Sequence, residues 1–471
     1  MREIKRLKSA FVISCLIVSV FSVISIGASV ESTNHQASEV DTNTDTDTDD
    51  DRLMDTFEHS IEQGSSYLFS TRKDPHREKG EFALFESSNR NMSGEVYRKI
   101  NFGTPFVYHS LSFLENLPLN SSKLNEINIM KKDAIAFMKQ HKEIDNYDDP
   151  NVRGVDTGGA VWRYYYGSDI PKNPKGKTLI YGVPDIDNIA VILQALYESG
   201  ENIDEYYPTT ATDYFINYQL RDSFITHKIG VLPIQLQYNS FNTWINEENL
   251  SLFYKLEAYD VVVNANVLFF YSTQLTTQDL QNQIPEVFDY INYASDKMNE
   301  NRKNAIFPVP WAGAEIVSLY YPSPFTFTYF VSRAYKDGGA PITGNPSIDI
   351  NKIKEYILAD DDNDGQLDRQ KTDGSWGNFE MIGGRKTIVT NDFETALATL
   401  SLLNIYDTLN ESDKGIAKTA IDKSIEYLLE NQNHDGSWDS AFWGWAPLHT
   451  GSAEITTGFV LEALAKYQAI I

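Results

Sequence analysis

Four carboxylates stand just ahead of apolar helical runs, where they could do acid or base chemistry. Asp185 and Asp187 lie in Pro184-Asp185-Ile186-Asp187-Asn188-Ile189-Ala190, and Asp260 and Asp392 hold equivalent places further on. Paired carboxyl groups in a cleft are what sugar-cleaving chemistry uses. The same positions suit simple helix capping and favourable contact with the helix dipole. Each of the four therefore has a structural reading beside the chemical one.

Other stretches offer different chemistry. Asp360-Asp-Asp362-Asn-Asp364-Gly365-Gln-Leu-Asp368 alternates carboxylates around a glycine turn. That pattern suits a hard cation with oxygen ligands, and Ca2+ on Asp360, Asp362, Asp364 and Asp368 is the expectation, against an acidic solvated turn. Position 12 of the loop is Lys371, so the loop resembles a dockerin repeat more than an EF-hand. Trp162 and Arg163 open a dense aromatic run through Tyr166, and Phe442, Trp443 and Trp445 fall within four residues. These and Arg333, which lies in an otherwise apolar helix, are candidate substrate-binding residues. Buried polar groups need partners, so Arg333, Asn264 and Asn266 could equally bridge neighbouring helices.

The totals set limits. The chain has 471 residues, 41% of them hydrophobic, which is ample for a large core. A formal charge of -26 at pH 7 repels nucleic acid and anionic lipid. Cys15 is the only cysteine, so no intramolecular disulfide forms and no zinc site can use a thiolate from the folded body. Residues 1–28 read as a signal peptide or N-terminal anchor: Met1–Ser9 is basic and Ala10–Ala28 carries no charge. Export follows, with the protein secreted or tethered to the membrane through residues 10–28. Residues 29–51 have the composition of a disordered acidic linker.

The body, 52–471, repeats one grammar six times: an amphipathic helix, an aromatic connection, then a helix apolar over most of its circumference. The pairs are Leu53–Leu68 with Gly103–Leu117, Ile127–His141 with Asp187–Ser199, and Thr210–Leu220 with Asp260–Ser272. Leu280–Asn299 with Pro324–Tyr335, Ile348–Leu358 with Asn391–Tyr406, and Ile416–Gln432 with Glu454–Tyr467 complete the set. The first kind of helix belongs outside and the second inside. Six such hairpins predict an all-α fold, a single (α/α)6 toroid, with an open solenoid as the alternative. All seven tryptophans fall in connections leading into inner helices, so they share one rim, where inner-helix N-termini point and a working cavity belongs.

Two motifs carry a resemblance. Ser424 to Trp438, through Gln432, Gly436 and Trp438, resembles the QW repeat of the squalene–hopene cyclase and protein prenyltransferase toroid superfamily. Thr372-Asp-Gly374-Ser-Trp376 looks like a second copy lacking its Gln. Residues 184–190 resemble the DxDD motif of class II terpenoid cyclases, with Asn188 in place of the last Asp. The resemblance implies that Asp187 is the acid that protonates an alkene or epoxide, oriented by Asp185 and Asn188. Such an acid must be kept protonated by burial and neighbouring carboxylates, and aromatic walls would stabilise the cations formed. The zinc prenyltransferase branch needs a Cys ligand that the body lacks.

The expectation is an exported toroid of the class II cyclase type, acting on a small apolar ligand. The alternatives are an extracellular glycosidase or lyase acting on a saccharide, and a ligand-binding toroid without catalysis.

Overall fold

The structure is a computed structural model, and it describes residues 49–88, 92–144, 159–169, 184–216, 225–229, 232–236, 241, 243, 260–304, 318, 321, 323–359, 365–382, 385–445 and 449–470. The predicted leader, the linker up to residue 48, Trp244, Trp311 and the calcium ligands Asp360, Asp362 and Asp364 lie outside them. Contacts divide the chain into Met1–Asp51 and Arg52–Ile471, and the second unit is the one described below. Among the described residues no helix is long and apolar enough to cross a membrane.

Thirteen helices are described. The inner ones are α2 (Gly103–Leu114), α4 (Ile186–Glu198), α6 (Val261–Gln274), α9 (Pro324–Lys336), α11 (Asp392–Ile405) and α13 (Ala453–Gln468). The outer ones are α1 (Asp49–Thr71), α3 (Ser121–Gln140), α5 (Ala211–Phe215), α7 (Thr277–Gln283), α8 (Pro285–Asn304), α10 (Ile350–Ile357) and α12 (Glu411–Glu430). Burial follows the sequence pattern. Every residue of α11 is buried. On α12 only Ala417, Ala420, Ile421, Ser424, Ile425 and Leu428 are, which is one stripe at helical spacing. The fourth outer segment, predicted as one helix over Leu280–Asn299, is two, because Pro285 lacks an N–H to continue α7 and instead starts α8.

The ring closes. Packed in turn, α2 meets α4, α4 meets α6, α6 meets α9, α9 meets α11, α11 meets α13, and α13 returns to α2. The toroid, not the open solenoid, is therefore the fold. Closure extends to the rim. Strands β1 (Leu84–Ser87) and β2 (Val96–Arg98) of the first connection join β9 (Gly444–Trp445) and β10 (His449–Gly451) of the last in one sheet, ordered β2-β1-β10-β9. Phe85 stands opposite Gly451 in the antiparallel β1–β10 pair. Three further two-stranded ribbons decorate other connections: β3 (Glu143–Ile144) with β4 (Ala160–Val161), β5 (Ile225–Ile229) with β6 (Leu232–Leu236), and β7 (Gly377–Ile382) with β8 (Arg385–Thr390). The helical pattern did not predict these strands.

Two joints between hairpins are built alike. In one, Gln370 Nε2 donates to Ala420 O at 2.8 Å and Gly374 O at 3.2 Å. In the other, Gln432 Nε2 donates to Ser60 O and Gly436 O, both at 2.9 Å. The copy around Trp376 thus does have its glutamine, at the same spacing, which corrects the sequence reading. Trp376 N donates to Thr395 Oγ1 at 3.0 Å and Trp438 N to Thr457 Oγ1 at 3.2 Å. The glycines are obligatory: Gly374 and Gly436 have φ of 87° and 89°. A Cβ on them would sit 2.0 Å from Lys423 O and 2.4 Å from Gln63 O. Both indoles are fully buried, with N–H bonds to Ser424 Oγ at 2.6 Å and Leu428 O at 2.7 Å.

Candidate active site

At the start of α4 the two aspartates have separate tasks. Asp185 is the N-cap, its Oδ1 accepting from Asn188 N at 2.7 Å. Asp187, two residues on and still in the first turn, is left free of capping and reaches sideways. Its Oδ1 accepts from Asn266 Nδ2 of α6 at 2.7 Å, and its Oδ2 accepts from the Tyr321 hydroxyl ahead of α9. Asn266 Oδ1 in turn accepts from Arg333 Nη2 of α9 at 2.7 Å. The capping reading of Asp187 is thereby overturned, and it holds for Asp185 instead.

Asp260 is also a cap. Its Oδ1 accepts from Val262 N at 2.7 Å and Val263 N at 3.3 Å, and Ser318 Oγ donates to both oxygens at 3.0 and 2.9 Å. Asp392 is the first residue of α11, where Asn391 is the cap. Its Oδ2 accepts from Asp439 N at 3.2 Å, tying α11 to the last connection.

Burial dominates the electrostatics. It pushes the Asp187 carboxyl up to about 7, against the lowering effect of the Tyr321 and Asn266 bonds and of Arg333, while Asp260 pushes further up. Asp185 is raised well above the carboxylate range by burial and then by the charge of Asp187, although its bond from Asn188 N opposes the rise. Asp392 is raised to about 6, first by burial. Asp185 Oδ2 and both amide atoms of the fully buried Asn188 have no partner among the described residues.

Aromatic rings line this end of the ring. Trp443, 2% exposed, stacks on Phe102 with centroids 5.1 Å apart and planes at 16°. It meets Phe106 edge-on at 4.8 Å and lies 6.2 Å from Tyr321. Phe102 also lies 5.7 Å from Tyr164. The Trp443 Nε1–H has no partner among the described residues. Four connections, those before α2, α4, α9 and α13, thus supply one wall beside the acid.

The opposite end of the inner ring differs. His109, Asp337 and Glu462 bring ligand-type atoms within 4.8 Å of one another. Lys466 already sits among them, with Nζ 2.7 Å from Asp337 and 3.1 Å from Glu462. His109 Nδ1 lies 3.2 Å from Glu198. This is an ion-pair floor in which an ammonium group already serves two of the three.

The other sequence candidates fall elsewhere or outside the description. Trp162 is a plug at an outer joint, its Nε1 donating to Met138 O at 2.7 Å. Arg163 pairs with Glu143 at 2.7 Å. Phe442 is half-buried against His449, with ring centroids 4.5 Å apart. Trp445 lies in β9. Asp368 closes its own turn, Oδ2 accepting from Gly365 N at 2.8 Å. The residues that hold Asp187, Asn266 and Tyr321, were not among the predicted site residues. The unexplained amide in apolar α6 was the signal for the first; no sequence signal marks the second.

No family model matches the chain, and no curated protein matches it. Solved structures do. The type II terpene cyclase MstE from Scytonema aligns with a TM-score of 0.50 at 16% identity, over 88% of this chain and 99% of that one. Cellobiose 2-epimerase from Bacillus thermoamylovorans B4167 aligns with a TM-score of 0.50 at 13% identity, over 88% and 99%. At such identities the likeness speaks for the fold alone: the chain is an α/α toroid, an architecture used both by a terpene cyclase and by a carbohydrate epimerase.

Proposed function

We propose that the toroid is an acid catalyst of the class II terpene cyclase kind, with Asp187 as proton donor to the terminal alkene or epoxide of a polyprenyl chain. The observation that carries this reading is the freedom of Asp187 from capping: a buried carboxyl, raised to about 7, whose oxygens meet neutral donors beside an aromatic wall. The Asp187 O–H bond breaks as the π electrons, or an epoxide oxygen lone pair, take the proton. Asn266 and Tyr321 then donate to the carboxylate left behind. The tertiary cation is stabilised by the faces of Trp443, Phe102 and Tyr164 until a proton is lost or water adds. A saccharide-cleaving reading needs a convergent pair of free carboxylates, and Asp185 and Asp260 are engaged as caps.

The test is incubation with squalene, oxidosqualene and geranylgeranyl diphosphate, with products read by mass spectrometry. Cyclised product from the wild type, reduced at least about a hundredfold in Asp187→Asn, is expected. No cyclised product from any of the three, or product undiminished in the variant, overturns the reading.

A further inference from the structure

Arg333 is 2% exposed, yet among the described residues no carboxylate lies within ion-pair distance of it, and its Nε has no partner. Its guanidinium is held by ring faces instead, 4.4 Å from the centroid of Phe269, 4.8 Å from Phe330, 5.5 Å from Phe106 and 5.6 Å from Tyr329. His109 and Lys466, at the other end of the inner ring, pair with Glu198, Asp337 and Glu462. Arg333 spends its Nη2–H on the Asn266 amide oxygen at 2.7 Å, and that amide faces Asp187.

An asparagine amide presents a donor on one side and an acceptor on the other, and the two orientations have nearly the same shape. With Asp187 ionised, a reversed Asn266 would set its carbonyl against a carboxylate, which is repulsive. With Asp187 protonated the reversed amide is welcome on that side, because its carbonyl accepts the acid's own proton. Only the Arg333 side then opposes reversal, since an NH2 group would face a guanidinium. The protonated form is the one that can act.

We propose that Arg333 is a positioning residue for Asp187, acting through Asn266: it holds the amide oxygen, fixes the amide N–H on Asp187 Oδ1, and denies the acid a carbonyl that would sequester its proton. This deepens the reading of Asp187 as proton donor and rests on it. The titratable and charged groups around Asp187 are Asp185 at the start of α4, Tyr164 in the connection before it, Asp260 at α6, Tyr321 ahead of α9, and Arg333 itself. Beyond Arg333 lie Glu198, His109 and Glu462 of the floor.

The experiment is an infrared titration of the Asp187 carbonyl band, assigned by its loss in Asp187→Asn, with folding checked by circular dichroism. Arg333→Met removes a cation and frees the amide to reverse, and both changes favour the neutral acid. The midpoint is expected to rise by about one pH unit, a tenfold gain in proton affinity. Arg333→Lys, which keeps a cation and a donor, is expected to hold the midpoint close to the wild-type value. In an Asn266→Leu background the amide is gone, so Arg333→Met should move the midpoint by less than in the wild type. Equal shifts in the two backgrounds, or none in either, overturn the proposal. If Arg333→Met does not fold, the same cycle is run with Arg333→Gln, which removes the cation, and equal shifts in the two backgrounds, or none in either, overturn it. The titration needs no substrate, so its outcome is separate from the turnover comparison by which the acid reading is judged.

Discussion

At the N-terminal end of the inner ring, Asp185 and Asp187 lie buried with no cation in ion-pair reach among the described residues, and burial raises both. At the C-terminal end, His109 and Lys466 sit among Glu198, Asp337 and Glu462 in direct pairs. There burial is overcome. Burial works to raise Asp337, but Lys466 and then His109 hold it well below the carboxylate range. Burial works to lower His109, but Glu198 and Asp337 carry it up to about 9. The floor is drawn from α2, α4, α13 and the C-terminal cap of α9. Cations near helix C-termini also meet the favourable end of the dipole, which helps the floor settle its charges. The difference separates a place where buried charges are paired from one where burial raises carboxyl groups that have no cation in ion-pair reach among the described residues.

Breaking the floor gives the largest stability effect. Lys466→Met leaves Asp337 and Glu462 facing each other without their shared cation, and a loss of about 3–5 kcal/mol in chemical denaturation is expected. Asp187→Asn at the other end should leave stability unchanged or higher, because it removes a carboxyl group that is costly to ionise in place. A loss in Asp187→Asn as large as that in Lys466→Met would erase the distinction.

The two ends also respond differently to pH. The Asp187 carboxyl binds its proton more tightly folded than unfolded, so its contribution to stability falls as pH rises from about 4 to about 7. Asp392 adds to the same slope, up to about 6. His109 contributes stability that is complete below about 6.5 and is lost as pH rises through about 9. Denaturation midpoints across this range should show two descending limbs. Asp187→Asn flattens the acidic one and His109→Gln the alkaline one. A variant that flattened the wrong limb would show the ends to be coupled.

A smaller contrast lies between two tryptophans. Trp438→Phe loses the bond to Leu428 O and about 1 kcal/mol or more. In Trp443 the indole N–H has no partner among the described residues, so Trp443→Phe should cost less stability while altering product yield. The reverse order would make Trp443 the joint and Trp438 the wall. The smallest effect is expected from the acidic loop: millimolar Ca2+ should raise Tm by a few degrees. Asp364→Asn should abolish that rise, and no rise in the wild type would dismiss the calcium expectation.

Much of the fold was legible because its signals are local. Apolar stripes at helical spacing separate α12 from α11, and polar caps such as Asn120, Asn391 and Ser452 mark where helices begin. The site was legible only in part. In an Asp-x-Asp at a helix start either residue can cap, and a one-residue shift of the boundary decides which is left free. Tyr321 lies in a Tyr-Tyr-Pro connection with no periodicity, and its contact with Asp187 exists only because the connection ahead of α9 reaches the start of α4. The second joint glutamine could have been found by aligning Gln370–Trp376 with Gln432–Trp438.

Ring closure through Gln432 and Ser60, and through the β1–β10 pair, has a kinetic side. A linear solenoid unravels from its ends, where the last repeat has a single neighbour. Here every hairpin has two, and no repeat is terminal. Unfolding must begin by opening an internal joint, after which the exposed edges can peel. Amide hydrogens of α13 and α2 should then exchange with solvent as slowly as those of α6, and the toroid should come apart in one cooperative event.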